Sequence, residues 1–271
     1  MKHYMKYLWI AVFCGIFCIV GCTKNFSEIL LSEILFIPTY FDTDYYMQYI
    51  PNITFGYVPL LLFQVFYGTY IYRHFCCASI YYFSRCCSRT LWFLKECLSL
   101  YIFCVGYLVV FVVSGVIATD ILIKVTVDAV SIYIFVYYIL IYSFFLWFTT
   151  LAVNLFGILF TSNVGFTVVE SFLFLCIAIY SMSGEYFIPE HAMVSDYQWL
   201  IKWNPFSHLV FGIHSSNIEE LNQLIHQKGI AFDLNESLLL FIILSVVTII
   251  VGCVLVHYHD FINANKEKGG I

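Results

Sequence analysis

Between Asp128 and Glu170 lie 41 residues without a single Asp, Glu, Lys or Arg. As one α-helix, such a run measures about 60 Å at 1.5 Å per residue, roughly twice the hydrocarbon core of a bilayer. It therefore has to fold back on itself as two apolar helices joined by a short turn. Asn154, Gly157, Thr161, Ser162, Asn163 and Gly165 cluster where that turn is needed, which predicts spans over 130–153 and 165–183. The rest of the chain agrees. Hydrophobic residues fill 62% of the 271 positions and charged residues only 11%, against about 25% charged in soluble domains. A surface this poor in charge has to face lipid.

The same length criterion gives three further spans, over 53–72, 97–118 and 237–256, and 7–21, rather short and flanked by Lys2 and Lys6, is read as a fourth. The chain thus reads as an all-α integral membrane protein, one transmembrane domain over 1–271 crossing the bilayer about six times. Ile19-Val20-Gly21-Cys22 has the look of a lipoprotein processing site. Cleavage there would leave five spans and put the C-terminus opposite its basic tail, so the first helix is expected to be retained. Gly56, Pro59 and Gly68 mark the second span as a place for a kink or a close helix approach.

Threading six spans alternately puts Lys2, Lys6, Arg73, Arg85, Arg89, Lys95, Lys266 and Lys268 on one side, and Lys24, Lys124, Lys202 and Lys228 on the other. Lys and Arg gather in short cytoplasmic loops. The eight-residue side is therefore predicted to be cytoplasmic, with both termini there, in the cell membrane.

Chemistry-bearing residues are sparse. Read as a helix, 79–95 carries Ile80, Phe83, Cys87, Leu91 and Leu94 on one face and Tyr81, Arg85, Ser88, Arg89 and Trp92 on another. A basic amphipathic helix on the cytoplasmic surface suits either anionic headgroups or the grip of a cytoplasmic protein. Glu170 is the one carboxylate well inside an apolar run. Two readings of it stand: a site on a substrate or proton path, or a position about one turn from the cytoplasmic end, neutralised or hydrated there. The eleven cysteines fall in apolar runs, at their edges or in the loop assigned to the cytoplasm, which argues against a disulfide framework. Cys76-Cys77 and Cys86-Cys87 have no ligand-spaced His beside them. The chain has no Gly-x-x-x-x-Gly-Lys-[Ser/Thr] phosphate loop, no His-Glu-x-x-His and no Gly-x-Ser nucleophile pattern. It also has no basic, aromatic-interleaved surface of the kind that binds nucleic acid. If it pumps, ATP and Mg sit on a partner chain and no cofactor belongs to this one.

In layout the chain resembles the ABC-2 type permeases, the membrane subunits of one class of ABC exporters. More narrowly, it is similar to the bacterial permeases of bacteriocin or lantibiotic export and self-immunity. Three features carry the likeness. A first helix precedes an external loop of about 30 residues. A long intracellular segment then runs from Tyr70-Ile-Tyr-Arg73 through Tyr81-Tyr-Phe-Ser-Arg85 to Trp92-Phe-Leu-Lys95. Finally, Trp203-Asn204-Pro205-Phe206 leads into a short apolar stretch between spans five and six. The resemblance implies a cytoplasmic coupling helix over 79–95 that contacts an ABC ATPase through Tyr81, Arg85, Ser88, Arg89 and Trp92. It implies short external helices over 197–213, with Asn204 and Pro205 at their core. It further implies pairing with a second permease subunit, as homo- or heterodimer, to export a peptide or amphipathic molecule. Relatives often begin with an amphipathic cytoplasmic helix, whereas here about six residues precede the first span. Two other functions remain open: a non-transporting immunity or sensor protein that binds a toxin at its external loops, and an intramembrane enzyme using Glu170 with a histidine.

Overall fold

The computed structural model describes residues 8–23, 26–36, 46–78, 88–186, 198–225 and 233–258. In chain order these form α1 (Leu8–Thr23), β1 (Glu28–Leu30), α2 (Leu31–Phe36), α3 (Tyr46–Tyr67), α4 (Tyr70–Ala78), α5 (Arg89–Leu122), β2 (Lys124–Thr126), α6 (Ala129–Leu159), α7 (Ser162–Tyr186), α8 (Gln198–Trp203), α9 (Glu219–Ile225) and α10 (Leu234–Tyr258). Two 3₁₀ turns, Ser207–Leu209 and Phe211–Ile213, lie between α8 and α9.

Among the described residues, four helices are long and apolar enough to cross a membrane: α5, α6, α7 over Ser162–Ser181, and α10. α1 is apolar but shorter, at 16 residues or about 24 Å. The outward side of this bundle is paved with exposed Val, Ile, Leu and Phe, including Ile102, Ile117, Phe172, Leu175, Val247 and Ile250. Hydrocarbon is the solvent that matches such a surface, and helices satisfy their own backbone groups within it. The chain is membrane-embedded.

α6 sits at the centre and packs against α5, α7 and α10. α1 lies along α5, held close by a glycine pair. A β-carbon on Gly15 would fall 2.1 Å from the Phe111 carbonyl oxygen, and one on Gly115 would fall 2.7 Å from the Gly15 carbonyl oxygen. Without side chains there the two backbones meet, which is how helices associate where no hydrophobic drive separates them from lipid. Aromatic rings fill the seam between α3 and α5. Phe63 stacks on Tyr67 at 4.8 Å and meets Tyr107 edge-on at 5.0 Å. The Tyr107 hydroxyl donates to the Pro59 carbonyl at 2.8 Å.

The 41-residue uncharged run does fold back, and within the polar cluster of 154–165, although the first of its two helices runs farther than expected. α6 continues to Leu159 and the chain reverses at Phe160 and Thr161. The expected end at 153 is corrected: Asn154 lies inside the helix and is fully buried. Asp128 starts α6 as its N-cap, accepting from the Ser131 backbone N–H at 2.8 Å and from the Ser131 hydroxyl. Those bonds hold its carboxyl below the usual range.

The second span is interrupted at one of the three residues that marked it for a kink. The 53–72 helix is broken at Gly68 and Thr69 into α3 and α4. The mixed, acidic stretch after the first helix contributes β1, which pairs in parallel with β2 through Glu28 and Lys124, Ile29 and Val125, and Leu30 and Thr126. A Lys124–Glu28 ion pair at 3.0 Å runs across the two strands.

Candidate functional site

Three sets of residues could carry function: the basic end of the bundle, a polar track inside it, and the folded segment between α7 and α10.

At the basic end, Tyr81 and Arg85 lie outside the described residues. Ser88 caps α5 with its extended backbone and side chain, its hydroxyl accepting from the Leu91 N–H at 3.3 Å. Residues 89–95, expected as part of a separate surface helix, are instead the first two turns of the 34-residue α5. At about 51 Å for its 34 residues, α5 is longer than a hydrocarbon core of about 30 Å. Arg89 Nη1 donates to the His257 carbonyl at the end of α10, at 3.5 Å. Trp92 leans on Phe75 of α4, ring centroids 6.1 Å apart. His74 Nδ1 meets Glu96 Oε2 at 3.1 Å. The expected basic face thus ties α4, α5 and α10 together at one end, while Leu91 and Leu94 stay exposed.

The polar track runs along α3. Glu170, only 4% exposed, accepts the Tyr57 hydroxyl at Oε2 across 2.5 Å. Its Oε1 has no hydrogen-bond partner among the described residues. α7 starts at Ser162, so Glu170 stands more than two turns into the helix. Two turns along α3 from Tyr57, Gln64 Nε2 donates to the Thr149 hydroxyl of α6 at 2.7 Å. Farther on, the Asn154 side chain bonds the backbone at the α3–α4 break. Sequence reasoning missed Tyr57, Gln64, Thr149 and the burial of Asn154. The available signal was a polar side chain inside an apolar run, which is costly unless bonded.

Between α7 and α10, Asn204 makes an Asx turn: its Oδ1 accepts the Phe206 N–H at 3.0 Å across Pro205. Its Nδ2 donates to the Cys176 carbonyl of α7 at 2.7 Å, clipping the segment to the bundle. The next residues descend into a buried stretch in which Ser207, His208, Phe211 and His214 are all shielded. His208 Nε2 donates to the Lys202 carbonyl at 3.0 Å, and His214 Nδ1 donates to the Val210 carbonyl at 2.7 Å. Their remaining nitrogens both face the Ser237 hydroxyl, at 3.0 and 2.7 Å. While both rings are neutral, Ser237 has one proton for two acceptors and donates to one of them. Burial pushes His208 down to about 4 and His214 down to about 3, which keeps both rings neutral at ordinary pH.

Among the described residues no group of three or more His, Cys, Asp or Glu is placed to hold a metal ion. An apolar cavity of about 550 Å³ opens between α6, α7 and α10, lined by residues such as Phe148, Phe156, Phe172 and Val251. The chain matches no protein-family model, no curated protein and no solved structure.

Proposed function

We propose that this chain is the membrane-spanning subunit of an ATP-driven exporter of the ABC-2 type, crossing the cytoplasmic membrane six times. Its basic end faces the cytoplasm and the segment between α7 and α10 faces outside. A separate ABC ATPase supplies ATP and Mg, and a second permease subunit completes the path for a peptide or amphipathic cargo.

The observation that carries this reading is the convergence at one end of the bundle. α4, the start of α5 and the end of α10 are joined there by the Arg89–His257, His74–Glu96 and Phe75–Trp92 contacts. These elements and the segments next to them carry Arg73, Arg85, Arg89, Lys95, Lys266 and Lys268, half of the chain's Lys and Arg, and such residues gather on the cytoplasmic side. A load applied at 79–88 would enter three helices at once, which is what coupling to a motor requires. ATP binding would favour one permease state through the differential affinity of the ATPase pair for the two.

The test is purification of the tagged chain from its native membranes, followed by an assay for associated ATP hydrolysis. Activity that co-purifies with the parent and is lost in the Arg85→Glu, Arg89→Glu double variant supports the reading. A well-folded double variant that keeps the ATPase removes the coupling assignment.

A further inference from the structure

The break between α3 and α4 is bridged from outside the helix. In an uninterrupted helix the Tyr72 N–H would donate to the Gly68 carbonyl, four residues back. Here the Tyr72 N–H donates to Asn154 Oδ1 at 2.8 Å, and the Gly68 carbonyl accepts from Asn154 Nδ2 at 2.7 Å. The side-chain amide of α6 is thus inserted into one rung of another helix's ladder, each half meeting its complement. The break is bounded by regular bonds: Gly68 N–H donates to Gln64 O at 2.7 Å at the end of α3, and Arg73 N–H to Thr69 O at 2.9 Å at the start of α4. Asn154 Nδ2 also donates to Thr150 O of its own helix at 2.7 Å, which aims the amide at the gap.

We propose that this break is a two-state hinge, latched open by Asn154. With Asn154 withdrawn, the Tyr72 N–H closes on the Gly68 carbonyl and α3 and α4 become one helix. Both states satisfy the same two backbone groups, which a lipid-embedded helix cannot leave bare. That is the condition for two basins rather than one. A side chain entering the ladder is a recognised cause of a helix bend.

Two further observations fit a moving part. A β-carbon on Gly68 would sit 2.2 Å from the Gln64 carbonyl oxygen, so the open geometry has no room for one. An unbroken helix accepts alanine readily. Beside the break lies a cavity of about 350 Å³, lined by Thr69, Tyr72 and Arg73 on one side and Ser162, Asn163 and Thr167 on the other. It gives α4 space to swing. The hinge stands whether or not the chain is an exporter subunit, and its test needs no ATPase.

The experiment places cysteines at Arg73 and Asn163, on opposite walls of the cavity, in a background with the native cysteines replaced. Bifunctional thiol reagents of graded length then report the spacing in membranes. Asn154→Leu removes the latch and Gly68→Ala removes the space that the open state needs. Both are expected to change the yield with the shortest reagent in the same direction, by about tenfold, the size set by one buried hydrogen bond. If Asn154→Leu does not fold, Gly68→Ala decides alone. An unchanged spacing in the folded variants, or shifts in opposite directions, overturns the hinge.

Discussion

Removal of the Tyr57 hydroxyl is the sharpest probe of the bundle interior. In Tyr57→Phe, Glu170 keeps its 4% exposure but loses its donor, and Oε1 already has none among the described residues. A buried polar group stripped of its partner costs about 1–3 kcal/mol. Glu170→Leu leaves the Tyr57 hydroxyl orphaned at a similar cost. Replacing both with Phe and Leu removes the orphaned atoms together, and such exchanges are often nearly neutral. The double variant is therefore expected within about 1 kcal/mol of the parent, so the coupling across these touching residues is at least about 1 kcal/mol. Reversible unfolding in detergent, followed by tryptophan fluorescence, measures all four corners of the cycle. Single variants that each cost under about 0.5 kcal/mol, with no coupling, would refute the buried pair. Water would then be reaching Glu170, as the hydrated reading of its position requires.

Asn204 carries a second, directional test. Asn204→Ala loses the bonds to Cys176 and Phe206 and should cost about 2 kcal/mol. Asn204→Asp, nominally conservative, should cost more, because it turns an oxygen toward the Cys176 carbonyl; thermal unfolding that ranks Asp at or above parent stability contradicts the clip. The two histidines set a pH dependence. Their folded pKa values, about 4 and about 3, lie below the usual value of about 6.5. Their contribution is complete above pH 6.5 and is lost as the pH falls toward 4, because the unfolded chain takes up protons first. Between pH 7.5 and 5 the loss should be on the order of 4 kcal/mol, read from denaturant midpoints; a flat profile over that range contradicts their burial as neutral rings.

Much of the fold was legible because insertion is governed by length and charge, which a sequence displays directly. The run from 129 to 169 demanded a reversal, and the reversal falls at 160–161, within the polar cluster. Asn154 was misread for a physical reason. An asparagine that bonds a turn and one that bonds an interrupted neighbouring helix look alike in sequence, and only the latter belongs mid-helix. Glu170 stood out as an isolated carboxylate, but its partner lies 113 residues away and tyrosine is common throughout the chain. The pairing of 28–30 with 124–126 was equally hidden, since three-residue strands leave no periodicity to detect. Ser88, Arg89 and Trp92 were found by their spacing on a helix, yet the structure uses them at a helix start and in contacts between helices. Charge spacing identifies a face, not what will cover it.

Sidedness of the bundle is tested most directly by thiol labelling in a cysteine-replaced background, with single cysteines at Lys95 and at Lys124, both exposed positions on α5 and β2. A membrane-impermeant maleimide added to intact cells should modify the Lys124→Cys variant and spare Lys95→Cys until the membrane is opened. Labelling of Lys95→Cys from outside, with Lys124→Cys protected, would invert the molecule and remove the basic end from the compartment that holds ATP.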